Sequence, residues 1–92
     1  MSTTGGSEQL GKGHYDAASV AALARAHDPG LPEETAHELA LYAWEHLCEI
    51  GTLDAPEVAR RLLADHRDAG ATPASVVAKA AVDFCQRNDV TP

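Results

Sequence analysis

Five histidines, two cysteines and fourteen carboxylates are the side chains of this 92-residue chain best able to hold a metal or move a proton. Glu34 and His37 reproduce the Glu-x-x-His step with which one helix offers two ligands to a carboxylate-bridged di-metal centre. Such a centre needs a second copy of the step, and none occurs. His37-Glu38 opens like a zinc-peptidase signature, but Leu41 stands where the second histidine would be. His37 and Cys48 share a helix side, yet eleven residues hold them about 16 Å apart, too far to ligate one ion. His66 and His37 therefore read as partly buried rings whose nitrogens find a backbone or water partner. No metal or cofactor is assigned.

Nucleophilic chemistry fares no better. Ser19, Ser75, Cys48 and Cys85 fall inside expected helices or their first turns, without a Gly-x-Ser-x-Gly elbow or an evident base and orienting acid. Lys12 between Gly11 and Gly13 lacks the upstream glycine and the following Ser or Thr of a phosphate loop. Cys48 and Cys85 are too far apart in sequence for a zinc knuckle or a redox pair and read as reduced, with a bridge open if their helices meet. The chain is read as non-catalytic, with no catalytic residue assigned.

The side chains that remain belong to helices. Alanine is abundant, aromatic residues make up 4%, and β-branched residues are scattered. The organising stretch is Pro32 to Ile50. Ala36, Leu39, Ala40, Ala43, Leu47 and Ile50 fall in one arc about 100° wide, a core stripe. Beside it His37, Leu41, Trp44 and Cys48 make a second arc, so this helix needs neighbours on two sides. Glu34, Glu38, Tyr42, Glu45 and Glu49 fill the remainder as an acidic strip. Pro32 suits the first helical position and Gly51 the stop.

Three further helices are expected around it. Asp16 should cap a first helix running to His27, broken by Asp28-Pro29-Gly30. Asp54 with Glu57 resembles a capping box at the head of a third helix, residues 55 to 69, ended by Gly70; Arg61 and Asp65 on it are spaced to pair. Thr72 should cap a fourth helix with Pro73 at its first position and Val76, Val77, Ala80, Ala81 and Phe84 buried. Residues 1–13, rich in Gly, Ser and Thr, read as a disordered tail. The expected architecture is thus all-α, one domain over residues 14–92, with four short helices around a central second one. Leu39, Leu41, Trp44, Leu47, Leu62, Leu63, Val77 and Phe84 should form most of the core.

Charge and composition narrow the function. A formal charge of -7 opposes non-specific affinity for phosphate backbones or anionic lipid, and no apolar run is long enough to span a membrane. No leader-like segment opens the chain, which reads as cytoplasmic, and the excess of Arg over Lys suits GC-rich bacterial coding. The third and fourth helices joined by residues 68–73 admit a helix-turn-helix reading, hence a DNA-binding regulator, with Arg60, Arg61 and Arg67 on phosphates. The reading helix would offer Ser75, Lys79 and Asp83, with no Arg or Asn near its start for a base edge. Two small acidic helical families invite comparison. An acyl carrier protein needs Asp-Ser-Leu where Leu31-Pro32-Glu33 stands, and an immunity protein needs a paired-tyrosine segment, whereas Tyr15 and Tyr42 are isolated in sequence. The function expected is protein-protein contact, as a regulatory or accessory subunit or by self-association. The candidate surface is Glu38, Leu41, Tyr42, Trp44, Glu45 and Glu49, joined by the tail or exposing Trp44 and Leu41 if the second arc is not covered.

Overall fold

A computed structural model describes residues 14–92; the expected tail, residues 1–13, lies outside them. Four α-helices follow in order, α1 (Ala17–His27), α2 (Glu33–Ile50), α3 (Ala55–Asp65) and α4 (Ala71–Asn88), with a short 3-10 turn, Arg67–Ala69, before α4. Among the described residues no strand is present. Both α2 and α4 touch all three other helices, so the two share the centre, and α4 carries the densest packing.

Local chemistry accounts for the helix ends. Asp16 caps α1, one carboxylate oxygen accepting from Ala18 N (3.1 Å) and the other from Ser19 Oγ (2.8 Å). In the turn that follows, Asp28 Oδ1 accepts from Gly30 N (3.3 Å) and Arg25 Nε donates to Leu31 O (3.0 Å). The turn thereby holds Leu31 buried in the core, a role for a linker residue that helical periodicity does not reveal. Pro32 lies one place earlier than expected, as the N-cap of α2, where its carbonyl accepts from Ala36 N (2.9 Å). Gly51 ends α2 at φ 83°, with its N–H on Leu47 O (2.8 Å).

Three expectations for the second half need correction. The third helix does not run to residue 69: it stops at Asp65, and His66 adopts φ -131° and ψ 68° before the 3-10 turn. Only half of the capping box forms, Asp54 Oδ1 accepting from Glu57 N (3.2 Å), because the Glu57 carboxylate is held by Arg60 and Arg61 and Asp54 N–H turns to Thr52 O (3.1 Å). Gly70 and not Thr72 is the N-cap of α4, which places Pro73 inside the first turn. At the far end Asp89 takes the left-handed conformation at φ 58°, and Val90 N reaches back to Cys85 O (2.9 Å), folding the buried Val90 against the bundle.

The core is finer-grained than the large side chains suggested. Leu39, Leu47, Leu62 and Val77 are buried as expected, and Trp44, Leu63 and Phe84 pack against them half-buried. Ten of the nineteen buried apolar residues are alanine, among them Ala24, Ala36, Ala40, Ala43, Ala78 and Ala81. Small side chains at these contacts let the helix axes approach closely, so sealing depends on proximity more than on bulk. Leu41 is the exception to the expected core: it is 49% exposed.

Candidate functional site

The second arc of α2 is where the fold leaves side chains over. Trp44 stacks on Tyr15 (ring centroids 4.8 Å, 18° between planes), and Tyr15 meets Phe84 edge-on at 5.9 Å. The Tyr15 hydroxyl donates to Ala40 O at 2.6 Å, which fastens the chain just ahead of the α1 N-cap to the middle of α2. Tyr15, isolated in sequence, thus belongs to an aromatic cluster. Burial, and then the nearby Cys85 and Asp16 charges, push its phenol well above the ordinary range. Tyr15 covers only part of the arc: Leu41, His37 and Cys48 stay exposed. His37 is therefore a surface residue, not the partly buried ring expected.

The other border of α2 faces α3 and makes the contacts between the two helices. Tyr42 lies against the His66 ring at 4.2 Å. His46, a residue that sequence reasoning passed over, places Nε2 2.9 Å from Asp65 Oδ2 and Nδ1 3.3 Å from Glu49 Oε1. Arg61 joins the same network, donating from Nη1 to Glu49 Oε1 and from Nε to Glu57 Oε2, each at 3.0 Å. Hydrogen bonds from Arg60 and then Arg61 hold the Glu57 carboxyl below the usual carboxylate range. Arg61 thus pairs with Glu49 and Glu57, leaving Asp65 to His46. A cue to His46 was present in its i, i+3 spacing to Glu49; its partner on α3 was not.

The six expected surface residues accordingly divide. Leu41 and Glu45 stay on the outward flank, Glu38 borders both that flank and the cleft toward the His66 turn, and Trp44 is half-covered by Tyr15. Tyr42 and Glu49 are tied to α3. Along the first turns of α2 a groove of about 490 Å³ is lined by Glu33, Glu34, His37, Glu38 and Leu41. Among the described residues, none of Glu33, Glu34, Glu38 or Glu45 forms an ion pair. What this arrangement can do is contact: an apolar side chain in water beside a row of uncompensated carboxylates.

Other concavities and reactive groups offer less. A cleft of about 540 Å³ between α2 and the His66 turn is lined by Thr35, Glu38, Leu39, His66 and Asp68, among others. His66 Nε2 is buried there and makes no hydrogen bond to another described residue. Both ring nitrogens of His46 lie within hydrogen-bond distance of carboxylates. Among the described residues no three His, Cys, Asp or Glu side chains converge on a possible metal position. Cys48 and Cys85 are both free thiols; Cys85 is buried, and burial followed by the neighbouring Cys48 charge pushes its pKa up to about 11. No described helix is long and apolar enough to cross a membrane. Comparisons with protein-family models, curated proteins and solved structures find no match.

Proposed function

We propose that this chain is a non-catalytic helical module that binds a partner protein through the outward flank of α2. The observation that carries the reading is Leu41, the only large hydrophobic side chain exposed among the described residues, lying between exposed His37 and Cys48 on one side and Glu34, Glu38 and Glu45 on the other. A lone exposed leucine is ordinary. This one continues an arc that includes the half-buried Trp44, on one of the two helices that touch all the others, and is bordered by carboxylates with no ion pair among the described residues.

The DNA-binding alternative loses support from the same geometry. Of the three arginines available for phosphates, Arg60 and Arg61 already hold Glu57, and Arg61 also holds Glu49. A photo-crosslinking residue at position 41 should give a discrete adduct in the native cell that the same residue at position 79, on α4, does not. Equal labelling from both positions would remove the proposed surface. Retention of duplex DNA at low salt, reversed by added salt, would favour the regulator instead.

A further inference from the structure

The outward flank of α2 also specifies its occupant, an inference that rests on the proposed binding role. His37, Leu41, Trp44 and Cys48 recur at steps of four, three and four, the alternation of a seam between two supercoiled helices. Tyr15 lies on Trp44, so Leu41 is the protruding knob of that seam. The positions bordering the seam differ in kind. On the outer border, one residue after His37 and Trp44, are exposed Glu38 and Glu45; on the inner, one residue before Leu41 and Cys48, are buried Ala40 and Leu47.

A second copy meets this face badly. Antiparallel pairing sets Glu38 and Glu45 of one copy against the same residues of the other, and like charges so placed repel. Parallel pairing sets them against the Ala40 and Leu47 border, which the bundle has already closed. We propose that the flank takes a basic amphipathic helix from a different protein, with an apolar stripe over Leu41 and Lys or Arg facing Glu34, Glu38 and Glu45. Charge complementarity argues for this occupant: these carboxylates have no ion-pair partner among the described residues, and the whole chain carries a formal charge of -7.

The test uses the full chain and three model helices as long as α2, sharing one leucine stripe and differing only in a polar face of Lys, Gln or Glu. Titration is followed by amide chemical shifts and calorimetry. The Lys helix should move amides around residues 34–48 and bind at least about tenfold more tightly than the Gln helix, with the advantage fading at about 0.5 M salt. Leu41→Gln should abolish the shifts, and the triple variant Glu34→Gln, Glu38→Gln, Glu45→Gln, confirmed folded by circular dichroism, should weaken Lys-helix binding about tenfold. If the Gln helix binds as tightly as the Lys helix and still needs Leu41, the basic partner is wrong and the binding surface stands. Lys-helix binding indifferent to the triple variant also overturns the basic partner. If none of the three helices moves the α2 amides, both the partner and the proposed surface fall.

Discussion

The two flanks of α2 carry similar side chains and meet opposite fates. Toward α3, Tyr42, His46 and Glu49 find His66, Asp65 and Arg61. Away from α3, Glu34, Leu41 and Glu45 face solvent, because Tyr15 on that side of the helix lies on Trp44 and leaves Leu41 exposed. What separates a structural carboxylate from an available one here is whether a neighbouring helix brings a cation within reach. Glu45 and Glu49, one turn apart, cannot be told apart by residue type.

The contrast can be broken most decisively in the hydrophobic residues. Leu47→Ala opens a cavity at a fully buried site and should cost about 2–5 kcal/mol in denaturant unfolding, whereas Leu41→Ala should stay within about 0.5 kcal/mol. A large destabilisation by the second variant would mean that Leu41 packs inside, and would remove it as a contact residue. A subtler probe is the strap that half-covers the second arc. Tyr15→Phe keeps the stack on Trp44 but loses the bond to Ala40 O, for an expected cost of about 1 kcal/mol in the same measurement. No change would show that stacking alone holds the segment.

The smallest expected effect sharpens the α3 side. The folded-state pKa of Glu57 is lowered by Arg60 and Arg61, so its contribution to stability is present above the ordinary carboxylate range and is lost as pH falls through the lowered value. Glu57→Gln should therefore make the acid limb of the stability profile shallower while changing stability little in acid, where the wild-type carboxyl is already protonated. An unchanged acid limb would mean the arginine contacts are energetically neutral, as exposed pairs often are.

Much of the fold was legible because helix signals are local. Asp16, Asp54 and Gly51 act at the helix ends as expected, and the stripe from Ala36 to Leu47 is buried along its length. The misreadings fall where local signals compete. His66 and Ala69 continue the apolar spacing of the third helix, but the chain turns at His66. Thr72 has the side chain of a cap, but Gly70 at φ 81° is the N-cap and supplies the bend by backbone freedom alone.

The candidate surface was legible only as a circumference. Periodicity places Glu38, Tyr42, Glu45 and Glu49 on an outer strip of one helix and Leu41 and Trp44 on the apolar arc beside it, since angular position follows from residue number at about 100° per step. Which part of that circumference α3 would cover, and that Tyr15 would reach across to Trp44, depends on contacts between residues far apart in the chain. By itself the sequence determined the helices, their buried stripes and the acidic balance, because these follow from propensity, spacing and composition. Tertiary packing alone decided which carboxylates are neutralised and which leucine is left in water, because charge pairing and burial act through distances that no single helix contains.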